Sequence, residues 1–276
     1  MADALYIIAK APRVGLAKTR LGRVIGHEAA VTLYRAFLRD LAVRFANTHL
    51  ECGWYITPPD AWDDISPLVA CGREVRILYQ NEGNLTERQR EFFRGAAARG
   101  EERVVLIASD SPHLTVEVVA QAFSELDRSN LVFGPTYDGG YYLIGMHGWH
   151  DVFHDVPMST GTVLGDIVAQ AERAGLTVGW VETTFDIDEA EDIAHLRPLA
   201  EHRSDLAATR AALQELGLYA DGGRDKIEPN GTRSIAGNPV DGAASTGWGA
   251  ESRELRGRSA NGPEVGQLGP RREEPT

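Results

Sequence analysis

Cysteine and long apolar runs are both scarce in this 276-residue chain. Its two cysteines, Cys52 and Cys71, are far apart and form no CxxC pair, so we predict neither a disulfide framework nor a structural zinc site, and a reducing cytoplasm is the expected compartment. No apolar run approaches the ~20 residues that a membrane-spanning helix requires. The first apolar stretch, residues 4–9, has no basic segment before it, so we interpret it as a strand and not as a signal peptide.

Positive charge is scarce as well, with 28 lysines and arginines against 40 aspartates and glutamates and a formal net charge of −12. The phosphates of nucleic acids and the headgroups of anionic membranes attract basic surfaces, so an acidic protein is a poor candidate for either partner. The apolar fraction, 43%, is ordinary for a globular protein and is enough for a substantial core. We therefore expect a globular protein with no nucleic-acid or membrane partner.

The composition changes near residue 220. Residues 221–276 contain 11 of the 29 glycines and 5 of the 13 prolines, and their few large apolar residues follow no period. Such a segment buries too little apolar surface to offset the entropy of an ordered chain, so we predict a disordered low-complexity tail. Residues 1–220 are predicted to form one domain of ordinary size.

Within that domain, short apolar runs alternate with amphipathic stretches. Strands are predicted at residues 4–9, 53–57, 75–79, 104–109, 131–134, 141–145 and 177–181, and helices at 27–46, 84–98, 115–127, 160–174, 189–199 and 203–217. The first and fourth strands are apolar throughout, as is typical of strands covered on both faces. The alternation predicts an α/β fold with a mostly parallel sheet, in which ligands bind beyond the carboxyl ends of the strands.

The segment after the first strand reverses the sign of the protein's charge. Within 14 positions it contains five basic residues, which are Lys10, Arg13, Lys18, Arg20 and Arg23. Gly15 permits a tight loop, and a basic loop between a strand and a helix is the geometry of a phosphate cradle. The loop matches neither GxGxxG nor GxxxxGK[ST], so no Rossmann fingerprint or Walker loop is predicted. A solvated basic loop is the alternative interpretation.

Acidic residues follow two of the later strands. Asp110 comes directly after the fourth strand, where it could bind a magnesium or manganese ion that a diphosphate and water also ligate. The alternative is that Asp110 only caps the next helix. Five acids then fall between residues 186 and 192. Asp188 precedes the predicted helix and could complete the metal site, whereas the last three acids suit the first turn of that helix.

A third candidate segment lies between these two. Asp138 precedes Gly139 and Gly140 and separates two apolar runs. Asp-Gly is a strong signal for a hairpin turn. The same glycines would also let the backbone approach a sugar or an acceptor molecule, with Asp138 accepting hydrogen bonds from hydroxyl groups. Both interpretations stay open, and they are compatible.

Five segments, taken in order, resemble one family of enzymes: KAPRVGLAKTRL, QNEGNLTER, ASDSPHL, GPTYDGGYYLIG and FDIDEAED. They are similar to GT-A-type nucleotide-dependent glycosyltransferases that are sometimes linked to arsenosugar biosynthesis. That family is related to MobA-like nucleotidyltransferases and to phospholactate guanylyltransferases, although Tyr141 and Tyr142 disfavour the latter activity. The resemblance implies a nucleotide-diphospho-sugar transferase (GT-A) fold, which is a Rossmann-like, mostly parallel mixed sheet with helices on both faces.

The resemblance also implies roles for individual residues. The nucleotide-binding residues would be Lys10, Gly15, Lys18, Arg20, Gly83, Leu85 and Arg88. The metal ligands would be Asp110 and Asp188, and the acceptor-binding residues would be Asp138, Gly139 and Gly140. The catalytic residues would be Asp110, Asp138, Lys18 and Arg20.

Our leading hypothesis is a metal-dependent glycosyltransferase with a nucleotide-sugar donor and a small-molecule acceptor. Mg²⁺ or Mn²⁺ would neutralise the departing nucleoside diphosphate with Lys18 and Arg20, and Asp138 would bind or deprotonate the acceptor hydroxyl. The alternative is a nucleotidyltransferase, in which a phosphorylated acceptor attacks an NTP and releases pyrophosphate. A third possibility is a nucleotide-binding protein without catalytic activity. Two carboxylates together with a basic loop favour an enzyme.

Overall fold

Strands and helices alternate along the chain in a computed structural model that describes residues 3–70, 75–156 and 161–219. The strands are β1 (Asp3–Lys10), β2 (Glu51–Thr57), β3 (Arg76–Tyr79), β4 (Arg103–Ala108), β5 (Leu131–Pro135), β6 (Tyr141–His147) and β7 (Val178–Trp180). The α-helices are α1 (Thr19–Ile25), α2 (His27–Ala46), α3 (Trp62–Val69), α4 (Leu85–Ala98), α5 (Val116–Glu125), α6 (Val163–Arg173), α7 (Ile193–His202) and α8 (Ala207–Glu215). A 3₁₀ turn, Ser204–Leu206, joins the last two helices.

The strands form a single sheet in the order β3-β2-β1-β4-β6-β5-β7. β6 is antiparallel to both of its neighbours, and the other neighbouring pairs are parallel. The register pairs Ile8 of β1 with Ala108 of β4, so these two strands end side by side at the middle of the sheet. The predicted mostly parallel, mixed sheet is therefore confirmed.

Both faces of the sheet are covered because successive side chains of a strand point to opposite sides. Leu5 and Ile7 of β1 belong to an apolar core that also contains residues of α2, α5, α7 and α8. Ala4 and Tyr6 belong to a second core, on the other face, that contains residues of α4 and α6. The continuous apolar character of β1 follows from this double coverage.

Most of the predicted elements are present. All seven predicted strands are confirmed, and the six predicted helices are confirmed with shifts of a few residues at their ends. Two helices, α1 and α3, were not predicted. α1 lies within the segment interpreted as a phosphate loop, and α3 contains Pro67, a residue that argues against a helix interior. The predicted disordered tail, residues 221–276, lies outside the described residues.

The order of the strands places a crevice between β1 and β4. The chain moves outward from β1 to β2 and β3, and then returns past β1 to form β4 on its other side. The connections after β1 and β4 therefore diverge at their carboxyl ends, which is where open α/β sheets bind ligands. No described helix combines the length and apolar character needed to cross a bilayer.

Candidate active site

A cavity of about 460 Å³ opens at the carboxyl ends of β1 and β4. Its walls come from the loop after β1, the start of α1, the residues that follow β3 and β4, and the segment before α7. The volume lies within the ~300–1,000 Å³ that is usual for small-molecule sites. A second cavity, of about 360 Å³, lies at the amino ends of β2 and β3. We assign the site to the first cavity because it lies at the strand-order reversal and contains the predicted charged residues.

The loop after β1 is anchored by one of its basic residues. Arg13 donates hydrogen bonds from Nε to Asp64 of α3 at 2.8 Å and from Nη1 to Asp60 at 3.0 Å. Gly15 and Lys18 then adopt left-handed backbone conformations, with φ of 77° and 50°. For a residue with a Cβ atom, this conformation costs roughly 1–2 kcal/mol, so its surroundings must hold Lys18 in place.

Two carboxylates hold the Lys18 side chain in place. The Lys18 ammonium lies 2.5 Å from Oδ1 of Asp110 and 3.0 Å from Oδ1 of Asp188, and it donates a third hydrogen bond to the Ile187 carbonyl at 2.7 Å. Only 3% of the Lys18 side chain is exposed. Burial opposes the charge on the ammonium, but the charges and hydrogen bonds of the two aspartates outweigh it and raise the pKa of Lys18. Lys18 thus joins the loop after β1 to both acidic segments.

The acidic segments are also held to each other through the backbone. Ile187 donates its N–H to the Asp110 carbonyl at 3.0 Å, and the Ser111 hydroxyl donates to the Phe185 carbonyl at 3.1 Å. The Asp192 carboxylate accepts hydrogen bonds from the N–H groups of Asp188 and Glu189 at 2.9 and 2.7 Å. Asp192 therefore supports the turn that presents Asp188, and the two carboxylates at the cavity are preorganised.

Asp186 is a further acid in the cavity wall. Burial, followed by repulsion from Asp188, Asp138 and Asp110, raises the pKa of Asp186 to about 6. Four aspartates therefore share one region of negative potential, in which Lys18 is the buried cation. Asp186 belongs to the acidic run 186–192 of the sequence and was not predicted as a site residue.

The remaining basic residues of the site are less buried. Arg20 has a 64% exposed side chain, and its Nη1 atom lies 3.8 Å from Asp188. Lys10 is exposed at the end of β1, and Arg88 reaches the cavity from α4. All three ammonium hydrogens of Lys18 are engaged in hydrogen bonds. The other basic residues that line the cavity still have N–H groups available for a ligand, and they are Arg20, Lys10 and Arg88.

The far end of the cavity is formed by residues that follow β3. The Gln80 amide donates to the carbonyls of Tyr55 and Ala9 at 2.8 and 3.3 Å, which leaves its oxygen to accept a hydrogen bond from Arg88 at 3.3 Å. Leu85 supplies an apolar surface beside them. Gln80 is 7% exposed and was not predicted as a site residue. Gln80 is the first residue of the segment QNEGNLTER, and its place in that segment was the signal that could have identified it.

Not every predicted residue reaches the cavity. The predicted residues among its lining residues are Lys10, Lys18, Arg20, Leu85, Arg88, Asp110 and Asp188. Gly15, Gly83 and the segment 138–140 are outside that lining. At Gly83, φ is 113° and an added Cβ would collide with Glu87, whose side chain completes the capping box of α4 with Asn84. The described contacts of Gly83 therefore explain it as a helix-start residue.

Asp138 forms a turn beside the cavity. Its Oδ1 atom accepts hydrogen bonds from the Thr136 hydroxyl and from the Gly140 N–H. Gly139 has φ of 88°, and a Cβ there would lie 2.1 Å from the Gly161 carbonyl oxygen. The turn interpretation of Asp-Gly is confirmed, and Gly139 is explained by close backbone packing. The acceptor-binding role of Asp138, Gly139 and Gly140 stays a prediction.

His113 lies behind Asp110 and contributes structure. Its ring stacks on Phe185 with centroids 4.2 Å apart, and Nε2 pairs with the Thr184 hydroxyl at 2.8 Å. Burial, and then the positive charges of Arg203 and Arg44, lower the pKa of His113 to about 4. The ring is therefore neutral at physiological pH and packs the 184–185 segment against the residues that follow β4.

The two convergent carboxylates are a donor set that suits a hard divalent cation. Oδ1 of Asp110 and Oδ1 of Asp188 both contact one nitrogen, so a single cation can reach both oxygens. Within the described ranges, no three His, Cys, Asp or Glu residues converge as a metal-binding group. The protein would therefore supply two oxygen ligands, and phosphate and water would fill the other coordination positions of the cation, which is the usual arrangement for Mg²⁺.

Comparison with known proteins supports the fold. The model of a family described as uncharacterized and conserved in bacteria (DUF2064) matches residues 42–160. A protein of Desulfovibrio desulfuricans G20, provisionally assigned as a nucleotide-diphospho-sugar transferase, is 29% identical over 79% of this chain and 99% of its own, with a TM-score of 0.71. A cytidylyltransferase of Leptospira borgpetersenii is 11% identical over 83% of this chain and 99% of its own, with a TM-score of 0.50. No curated protein sequence matches the chain.

The chain therefore has the nucleotide-diphospho-sugar transferase fold that the family resemblance implied. The cytidylyltransferase is too distant in sequence to indicate more than this fold. The narrower resemblance to glycosyltransferases linked to arsenosugar biosynthesis stays a prediction.

Proposed function

We propose that this protein is a transferase that binds the diphosphate of a nucleotide at the carboxyl ends of β1 and β4. The observation that carries the proposal is the convergence of Lys18, Asp110 and Asp188 on one point of the cavity wall. The Lys18 charge is expensive to desolvate because its side chain is only 3% exposed, and a buried charge with specific partners in a cleft is a candidate for a functional site. The relative from Desulfovibrio, with its nucleotide-diphospho-sugar transferase assignment, supports the same class.

The favoured reaction is transfer of a sugar from a nucleotide-sugar donor to a small-molecule acceptor. Arg20 and Lys10 would bind the diphosphate from the mouth of the cavity, and Arg88 with Leu85 would contact the nucleoside end. These cations would stabilise the negative charge that develops on the departing nucleoside diphosphate, because a positive group placed where charge develops lowers the barrier.

Asp110 and Asp188 would hold Mg²⁺ or Mn²⁺. A divalent cation bound there supplies electrostatic stabilisation of the diphosphate leaving group. The two aspartates would hold the cation in one position, because the Ile187–Asp110 and Ser111–Phe185 hydrogen bonds fix their backbone segments to each other. Metal dependence is part of the proposal.

The acceptor would approach from the side of the Asp138 turn. Both hydrogen bonds that Asp138 accepts from described residues go to Oδ1, which leaves Oδ2 for an acceptor hydroxyl. Asp138 would orient that hydroxyl or take its proton. Gly139 and Gly140 have no side chains, so the turn would leave space for the acceptor beside its backbone.

Product analysis decides between sugar transfer and nucleotide transfer. The protein would be incubated with Mn²⁺, a small-metabolite extract and, in separate reactions, each common nucleotide sugar and each NTP. Release of a nucleoside diphosphate from a nucleotide sugar is the expected result. Release of pyrophosphate from an NTP would instead identify a nucleotidyltransferase, the alternative reaction that the sequence leaves open.

The metal assignment is tested by Asp110→Asn, which removes a charge with little change in shape. We expect Mn²⁺-dependent nucleotide binding, measured by isothermal titration calorimetry, to weaken about tenfold or more, because a charged group of a partly buried site is lost. The matched control is Asp63→Asn, an exposed acid of α3. Equal binding by Asp110→Asn and the parent protein would exclude a metal at Asp110.

A further inference from the structure

The Lys18 ammonium occupies a position that a metal would need. Its three hydrogen bonds go to Asp110, Asp188 and the Ile187 carbonyl, and an ammonium group has only three hydrogens to donate. In this arrangement Lys18 has no donor left for a phosphate. The predicted role of Lys18 as a phosphate ligand therefore requires that the ammonium first leave at least one carboxylate.

The carboxylates in turn need a cation in this position. Asp110 and Asp188 both contact Lys18, and Asp186 and Asp138 lie near enough to act electrostatically in the same region. Without a positive charge among them, the repulsion of several carboxylates in a partly buried site would be severe. The single positive charge of Lys18 offsets part of this repulsion, and the residue holds a left-handed backbone conformation, with φ of 50°, that is unfavourable for a side chain with a Cβ atom.

We propose that Lys18 is an internal counter-cation that holds Asp110 and Asp188 together and is displaced when a divalent cation binds with the nucleotide, an inference that rests on the proposed function. The metal and the ammonium compete because they need the same two oxygen atoms. Lysine suits the exchange, since its charge sits on a flexible four-carbon chain. The arriving phosphates would offer the displaced ammonium a new partner.

This competition couples the metal to the nucleotide. A metal alone must displace Lys18 and leave a buried ammonium without its two carboxylate partners, which is unfavourable. A metal that arrives with a nucleotide brings phosphate oxygens for Lys18, so the cost is offset. The protein would therefore bind metal weakly on its own and much more tightly in the presence of nucleotide.

The test is a Mn²⁺ titration without nucleotide, in which electron paramagnetic resonance measures the free ion. Three proteins are compared: the parent, Lys18→Met and Arg23→Met. Arg23 is an exposed residue of α1, so its variant makes the same change in net charge away from the site. We expect Lys18→Met to bind Mn²⁺ about tenfold or more tightly than the parent, because the competing cation is gone, while Arg23→Met binds like the parent. With Mn²⁺ present, Lys18→Met should bind nucleotide more weakly than the parent.

A gain in metal affinity with a loss in nucleotide affinity would support the proposal, because a simple phosphate ligand predicts only the second effect. Unchanged or weaker Mn²⁺ binding by Lys18→Met would overturn it. If the parent binds Mn²⁺ together with nucleotide but Lys18→Met shows no gain, the inference alone fails. If no protein binds Mn²⁺ under any condition, the metal in the proposed function fails too.

A measurement on the parent protein covers the case in which Lys18→Met does not fold. The ¹⁵N resonance of the Lys18 ammonium, assigned by its absence in Lys18→Arg, should be visible without ligands because the group is buried and hydrogen-bonded. Adding Mg²⁺ with nucleotide should shift this resonance, whereas a resonance that stays in place would overturn the displacement.

Discussion

Two basic residues of the same segment have opposite surroundings. Lys18 is buried between two carboxylates, whereas Arg20, two positions later, leaves 64% of its side chain in solvent and only approaches Asp188. Arg13 is engaged with Asp60 and Asp64. The residue of this segment best placed to bind a phosphate without rearrangement is therefore Arg20, in the first turn of α1, and solvent screening limits its contribution.

Replacing Arg20 with alanine should weaken nucleotide binding modestly. The exposed guanidinium forms a charge-assisted contact worth roughly 1 kcal/mol, which corresponds to about a fivefold increase in Kd. Calorimetric titrations at low and high salt would measure the effect, which should shrink as salt increases. Arg23→Ala is the control for net charge. An Arg20→Ala variant with parental affinity at low salt would remove Arg20 from the site.

The buried ring of His113 should make stability depend on pH. In the unfolded chain a histidine titrates near ~6.5, whereas burial lowers the pKa of His113 to about 4 in the folded protein. Between these two values the unfolded state binds the additional proton, so stability falls as the pH drops from about 6.5 towards 4. The full loss amounts to roughly 3 kcal/mol.

Urea unfolding at several pH values would measure this loss. His113→Gln should be less stable than the parent at pH 7, because the stacking on Phe185 is lost, but its stability should change less between about pH 6.5 and 4. His202→Gln, at the exposed end of α7, should keep the pH dependence of the parent. If His113→Gln keeps the parental dependence, His113 does not have the assigned pKa shift.

A carboxylate of α2 caps the start of helix α8, beside the apolar core that the two helices share. Asp40 of α2 is 6% exposed and accepts hydrogen bonds from the N–H groups of Ala208 and Thr209 at 2.9 and 2.8 Å. These donors belong to the first turn of α8, where N–H groups lack partners within the helix and the helix dipole favours a negative charge. Asp40 therefore acts as a capping group supplied by a distant helix.

Asp40→Ala should destabilise the protein by about 2–4 kcal/mol, since two buried donors lose their acceptor. Asp40→Asn keeps one acceptor oxygen and should be destabilised less. Urea denaturation monitored by circular dichroism would measure both, with exposed Asp63→Ala as a control that should stay near the parental stability. Equal stability of Asp40→Ala and the parent would show that α8 does not depend on this contact.

The strands could be predicted from the sequence because each of them leaves a local pattern. β1 and β4 are continuous apolar runs, and α2 repeats apolar residues at helical spacing over 20 residues. α3 could not be predicted because Pro67 obscures its short amphipathic pattern. α1 was not predicted because its basic residues were interpreted as part of a phosphate loop. The residue before the helix, Lys18, also provides no side-chain cap that would mark its start.

Across the whole molecule, the site could be predicted only in part. Asp110 and the loop after β1 were placed correctly at one edge because the order of elements fixes where parallel strands end. The contact of Lys18 with Asp188 joins residues far apart in sequence, so no local pattern could indicate it. Gln80 and Asp186 lie in two of the segments that resemble the family, QNEGNLTER and FDIDEAED, but their place in the cavity depends on the packing of distant segments.

The exchange at Lys18 should be visible in the stability of the whole protein. A ligand that binds only the folded state stabilises it by RT ln(1 + [L]/Kd), which is about 2.7 kcal/mol at a concentration of 100 Kd. For a domain of this size that corresponds to an increase in Tm of about 5–10 °C. We expect Mn²⁺ alone and nucleotide alone to raise Tm little and the pair to give the full increase, because metal and phosphate must together release Lys18 from its carboxylates.

Differential scanning fluorimetry with each component separately and together would measure this increase in Tm, with Asp110→Asn as the variant that should lose the joint effect. Separate increases that simply add would mean that metal and nucleotide bind independently, and that Lys18 does not couple them.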